Sequence, residues 1–166
     1  MSARPFFIAV WFTTLQKQSR GQHGFCHSEL EAMRPKNSPR VLYIEDHEDT
    51  RELVTLVLEQ KSYEVVTGST IKSGVALAGS QDFDLYLLDS WLPDGSGLEL
   101  CRQIREFDQA TPILFYSAAA YEMDRAEAIK CGAQAYLVKP SQPSELCNLV
   151  TSLIETHRRQ LRRAVV

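Results

Sequence analysis

Between Arg40 and Thr156 a short apolar run gives way to a helically spaced segment five times over, and this alternation restricts the fold more than any other feature of the chain. The runs are Val41–Ile44, Tyr63–Thr67, Leu85–Leu88, Ile113–Tyr116 and Ala135–Val138, rich in β-branched, aromatic and leucine side chains. Helices are expected over Thr50–Lys61, Ile71–Ala78, Leu98–Phe107 and Glu122–Lys130. A last one is striped by Leu146, Leu149, Val150, Leu153 and Ile154, and the first carries Leu53, Val54, Val57 and Leu58 at helical spacing. Strands that alternate with helices form a parallel sheet covered on both faces. The strand runs are almost continuously apolar, as a sheet buried on both sides requires. No repeat of solenoid period and no low-complexity tract interrupts the pattern.

Both ends lie outside it. Residues 1–38 hold an apolar stretch, Pro5–Leu15, followed by a polar, Gly- and Ser-containing segment. Eleven residues cannot span a bilayer as a helix, which takes about 20. Arg4 precedes the apolar stretch as in a signal peptide, but no small-x-small cleavage site follows clearly. The segment is therefore expected to be a poorly ordered extension. His23, Cys26 and His27 are spaced within one helical turn but lack a fourth metal ligand nearby. Residues 39–156 are read as the domain and 157–166 as a basic tail extending the last helix. After Ile154 about a dozen residues remain, too few for a DNA-binding or enzymatic domain. The chain is expected to be a stand-alone module or a piece of a longer protein.

Charge excludes one class of function for the domain. The net charge of −3 is unevenly distributed: residues 1–39 hold five basic and two acidic side chains, and 157–166 hold four arginines and no acid. Residues 40–156 are left with nine basic and nineteen acidic groups. A nucleic-acid surface needs a basic face against phosphates, so no direct nucleic-acid binding is expected. A divalent-cation site suits this balance. The four cysteines, Cys26, Cys101, Cys131 and Cys147, form no CxxC pair, which argues for reduced thiols rather than a disulfide framework.

In open parallel sheets, functional groups collect at the carboxyl ends of the strands. Glu45 and Asp46 follow the first strand, Asp89 the third, Ser117 the fourth, and Lys139 and Pro140 the fifth. Each alone reads as a helix cap or solvated loop residue. Together they bring three carboxylates, a hydroxyl and an ammonium to one edge. Carboxylates held that close repel one another unless protons or a cation neutralise them. An all-oxygen donor set fits Mg²⁺, which keeps waters and takes one or two carboxylates plus a phosphate. With no His or Cys at these positions, zinc and copper are disfavoured.

These pieces, VLYIED at 41–46, LYLLDSWLPDGSGLEL at 85–100, PILFYSA at 112–118 and GAQAYLVKP at 132–140, resemble the receiver domain of bacterial two-component response regulators. The resemblance covers residues 40–156. It implies a flavodoxin-like doubly wound (βα)5 sandwich with a five-stranded parallel sheet. It implies that Asp89 is the phosphoacceptor and that Glu45 and Asp46 hold Mg²⁺, with Glu-Asp in place of the family's more usual Asp-Asp. The backbone carbonyl of Trp91 would be a further ligand, with its indole beside the phosphoryl group. Ser117 would bond the phosphoryl group, Lys139 would pair with it, and the Lys139–Pro140 bond would be cis. Tyr136 would be the switch aromatic, its ring entering space that Ser117 vacates. Pro93, Asp94 and Gly95 would form the turn after the acceptor, and Gly97 would free the start of the next helix.

The implied partners are a sensor histidine kinase or histidine phosphotransfer protein, with an unidentified output partner. A homodimer is possible through the fourth helix, fifth strand and fifth helix, and the location would be cytoplasmic. The chemistry needs little help, since a carboxylate is ionised at neutral pH and needs no general base. A phosphatase on the same fold would carry a second Asp two residues after the nucleophile, where Trp91 stands. Neither GxxxxGK[ST] nor GxGxxG occurs after the first strand. The chain is thus expected to catalyse only its own phosphoryl transfer and slow loss. A receiver-like module that is never phosphorylated is the remaining alternative.

Overall fold

The computed structural model describes residues 38–164. Strand β1 (Arg40–Ile44) is followed by helix α1 (Glu48–Glu59), β2 (Glu64–Gly68), α2 (Ile71–Ser80) and β3 (Leu85–Leu88). Two short strands, β4 (Trp91–Leu92) and β5 (Gly95–Ser96), lead into α3 (Gly97–Phe107). The chain continues through β6 (Ile113–Ser117), α4 (Glu122–Lys130), β7 (Ala135–Val138) and α5 (Pro143–Ala164). The five long strands are all parallel and lie in the order β2-β1-β3-β6-β7. This is the parallel sheet covered on both faces that the alternation predicts, in the doubly wound form that the resemblance implies.

Because alternate residues of a strand face opposite sides, each strand feeds two cores. Leu42, Ile44, Tyr86, Leu88, Ile113 and Phe115 pack under Ile71, Ala78, Leu100, Ile104 and Ala128, which come from α2, α3 and α4. Val41, Tyr43, Leu85, Leu87, Leu114 and Tyr116 pack against Val54, Leu58, Leu146, Val150 and Ile154 of α1 and α5. All of these side chains are buried, and their removal from water is the main source of stability.

Helix α1 differs from expectation in the face that it buries. In α1 the stripe faces inward through Val54 and Leu58, while Leu53 is 61% exposed and Leu56 58% exposed. A helix with neighbouring apolar pairs has a stripe wider than the sheet can cover, so one edge is left in water. Helix α5 runs without a break through residue 156 to Ala164, and Arg158 on that extension pairs with Asp84 at 2.7 Å. The Asp84 carboxylate also accepts the Arg40 backbone N–H at 2.8 Å, tying the helix to the start of β1.

Helices α2 and α3 are capped at their starts by side chains, Thr70 and Ser96. Thr70 and Ser73 form a capping box on α2, and Asp94 accepts the Ile71 and Lys72 N–H groups at 2.7 and 3.1 Å. The turn after β3 thereby anchors the neighbouring helix. Among the described residues Cys101, Cys131 and Cys147 are free thiols, and burial pushes the Cys101 thiol up to about 11. No helix among the described residues is long and apolar enough to cross a membrane. Pro5–Leu15, Trp11 and the His23, Cys26, His27 group lie outside the described residues.

Candidate functional site

The order of the sheet reverses at β1, where the chain steps outward to β2 and then back across to β3. Crevices at such reversals are where α/β sheets bind ligands. In the β1–β3 register Ile44 lies beside Leu88, so the next residues, Glu45 and Asp89, emerge side by side. Asp89 continues the ladder by donating its N–H to the Ile44 carbonyl at 3.0 Å. Ligand oxygens of Glu45, Asp46 and Asp89 all lie within 4.8 Å of one another. Glu45 and Asp89 are buried and Asp46 is exposed, so the cluster opens to solvent on one side.

Lys139 reaches this cluster from the end of β7. Its ammonium is hydrogen-bonded to Glu45 Oε2 and stands 3.5 Å from Asp89 Oδ1. The Tyr116 ring walls it off, with Nζ 5.2 Å from the ring centroid. The Lys139–Pro140 peptide is cis. One cation among three acids leaves the pocket with surplus negative charge. A hard divalent cation bound by oxygen ligands is the partner that fits this donor set.

Ser117 ends β6 fully buried, and its Oγ accepts the Ala119 N–H at 3.3 Å. Tyr136 lies on the opposite face of the sheet from Tyr43 and Tyr116. Its ring is buried, nearly parallel to Phe115 at 6.0 Å, and its hydroxyl donates to the Ala119 carbonyl at 2.7 Å. The ring thus occupies an inward position, held by a bond to the segment after Ser117. Trp91 is 69% exposed and pairs with Ser96 in the β4–β5 ribbon, so its indole lies largely in solvent. Asp89 Oδ1 accepts the N–H of Ser90 at 2.8 Å. Gly97 packs so closely on the Asp89 backbone that a Cβ there would overlap the Asp89 carbonyl oxygen.

Two contributors escape sequence reasoning. Arg51, on the first turn of α1, donates from Nη1 to the carbonyls of Glu45 at 2.8 Å and Asp46 at 3.2 Å. Tyr43, wholly buried in β1, donates its hydroxyl to Glu45 Oε2 at 2.8 Å. Burial, then the adjacent Glu45 charge, raise the Tyr43 phenol far above its ordinary value and keep it a donor. The available signal for Tyr43 is its place two residues before Glu45, on the same face of a strand.

Fold and site together define a doubly wound α/β domain with an acidic, lysine-bearing pocket at its switch point. The family model of the response regulator receiver domain matches residues 41–151, and the chain belongs to that family. It is 33% identical over 118 residues to the transcriptional regulatory protein ResD of Bacillus subtilis, covering 71% of this chain and 49% of ResD. The chain spans about half the length of the curated relatives it matches. A CheY-like receiver domain protein from Methanospirillum hungatei superposes with a TM-score of 0.72 over 75% of this chain and 99% of its own, at 24% identity, which shows the fold. The receiver domain of a sensor histidine kinase from Pseudomonas aeruginosa, described with a magnesium ion coordinated in its active-site cleft, superposes with a TM-score of 0.67 at 26% identity. That match covers 72% of this chain and 99% of the other. Phosphorylation-dependent signalling is the function of this family.

Proposed function

We propose that Asp89 accepts a phosphoryl group from a histidine kinase, a histidine phosphotransfer protein or a small phosphodonor. The observation that carries this is the Lys139 ammonium beside both Glu45 and Asp89, where the carboxylates of Glu45, Asp46 and Asp89 converge. A carboxylate oxygen of Asp89 attacks phosphorus, the bond to the donor's nitrogen or oxygen breaks, and the leaving group keeps the electron pair. Lys139 and the Ser117 hydroxyl stand ready to receive the phosphoryl oxygens.

Glu45, Asp46 and the Trp91 carbonyl, with Asp89 itself, are the residues that would hold Mg²⁺. The bound ion would neutralise charge that builds on the transferring oxygens. The all-oxygen cluster supports this, as does the magnesium reported for the Pseudomonas domain. The chain's catalysis is limited to its own phosphorylation and the slow loss of that group, because no second carboxylate stands at Trp91 to activate water.

The switch works through Ser117 and Tyr136. New phosphoryl oxygens draw the Ser117 hydroxyl, and residues 118–121 follow because Ala119 is bonded to both side chains. The surface that changes is residues 122–154, where Met123, Ile129 and Val138 stand exposed; output contacts, including self-association, are assigned there. The acidic balance of residues 40–156 argues against nucleic-acid contact by this domain itself. It does not extend to a whole protein whose relatives include transcriptional regulatory proteins, and a DNA-binding output would need residues outside the matched region. A cytoplasmic location follows from the phosphodonors.

Incubation with labelled acetyl phosphate and Mg²⁺ tests the reading. One phosphoryl group per chain is expected in the wild type and none in Asp89→Asn; full labelling of that variant would remove the assignment.

A further inference from the structure

Glu45 differs from an aspartate at the same place by one methylene and one extra rotatable bond. The carboxylate therefore has to be held from two ends if it is to meet a cation at a fixed point. Its backbone is held by Arg51, whose guanidinium takes the carbonyls of Glu45 and Asp46. Its far end is held by Tyr43. The two residues are i and i+2 on β1, so both side chains project from one face, and the Tyr43 hydroxyl meets Glu45 Oε2 at 2.8 Å. Lys139 contacts the same oxygen. Among the described residues, the other oxygen, Oε1, has only the His47 N–H at 3.4 Å. One oxygen is thus saturated by two donors, and the second is left to the pocket.

We infer that Tyr43 is a positioning residue for the cation: its hydroxyl fixes Glu45 Oε2 and so presents Oε1 to the ion. The inference rests on the assignment of Glu45, Asp46 and Asp89 as the Mg²⁺-holding residues. Outer partners of this kind set ligand orientation, and their loss usually weakens metal binding by about 10–100-fold. Tyr43 is fully buried among Val41, Leu87 and Leu114 in the sheet's α1/α5 core, so its ring cannot swing away to leave the carboxylate free.

The test is a calorimetric titration of the full chain with Mg²⁺ alone, in the wild type, Tyr43→Phe, Glu45→Asp and the double variant. Tyr43→Phe keeps the ring and removes only the hydroxyl. It should weaken Mg²⁺ binding by about tenfold while leaving a cooperative unfolding transition in metal-free buffer. In the Glu45→Asp background the carboxylate is too short to reach the hydroxyl. There the same substitution should change the affinity by less than about twofold, a non-additivity that a packing role would not produce. Unchanged affinity in Tyr43→Phe, equal weakening in both backgrounds, or loss of the folded state on removing the hydroxyl would each overturn the inference. A wild type that takes up no Mg²⁺ would instead overturn the cation assignment on which it rests.

Discussion

The Tyr136 hydroxyl donates to the Ala119 carbonyl at 2.7 Å, and this bond ties the aromatic of β7 to the segment that leaves β6. Ala119 is bonded on its other side to Ser117, through the N–H that Ser117 Oγ accepts at 3.3 Å. One three-residue relay therefore spans the proposed phosphoryl-binding hydroxyl and the buried ring.

Tyr136→Phe should break the relay without disturbing the stacking on Phe115. A net loss of about 1 kcal/mol in urea unfolding is expected, typical of one hydrogen bond. Amide exchange of residues 118–121 should quicken, and the difference between beryllofluoride-bound and free protein in that segment should shrink. Unaltered exchange there would show that the bond does not restrain the segment.

Lys139→Met should move two measurements in opposite directions. Without the ammonium, the carboxylate cluster should bind Mg²⁺ more tightly, since a competing cation 3.5 Å from Asp89 is gone. Labelling by acetyl phosphate should fall by about 100-fold, as when one charge-stabilising donor is removed. The buried Glu45 also loses its counter-ion, so the metal-free variant should be less stable by about 3 kcal/mol and recover on adding Mg²⁺. Calorimetry, labelling and urea unfolding report the three effects separately.

Gly97→Ala should destabilise the domain by about 1–3 kcal/mol, because the new methyl group overlaps the backbone of Asp89, the proposed acceptor. Labelling should fall with it, since α3 can yield only by shifting Asp89. Gly79, where a Cβ meets nothing within 4 Å, is the control, and Gly79→Ala should leave labelling unchanged.

Stability should be lost in acid through two capping aspartates. Burial alone would raise the Asp108 carboxyl, but donation from Thr111, Tyr86 and Ala110 outweighs it and holds the group below its usual 3.8. The Ile71 N–H, with Lys72, likewise lowers exposed Asp94. A carboxyl depressed by folding adds stability that is fully present above its unfolded value and lost as pH falls through the folded one. Urea unfolding should therefore be flat between neutrality and about pH 5 and weaken below about pH 4. Asp108→Asn and Asp94→Asn should each make that fall shallower; an unchanged slope in both would reassign the acid sensitivity to other carboxylates.

Strand content, helix order and the strand-end residues are legible in the chain because they depend on short-range pattern. A buried parallel sheet demands continuous apolar runs, and the residue after each run must stand at the open edge. This is why Glu45, Asp46, Asp89, Ser117 and Lys139 can be assembled as a candidate site before any coordinate is known. The face of α1 is not legible in the same way. Leu53 and Val54 are equally apolar, and only the position of the sheet decides that Val54 is buried and Leu53 is 61% exposed.

The sequence by itself determined the alternation, the parallel sheet and the residue types at the strand ends, since these follow from periodicity and steric preference along the chain. The tertiary structure alone decided which groups meet. The order β2-β1-β3-β6-β7 sets Asp89 beside Glu45, and Lys139, 94 residues from Glu45 in sequence, closes on both. The same packing holds the Tyr136 ring inward and draws Arg158 onto Asp84. The reason is physical: hydrogen bonds and ion pairs act over a few ångströms, and chain position sets that distance only within an element. Between elements it is set by register and by which helix face the core can bury.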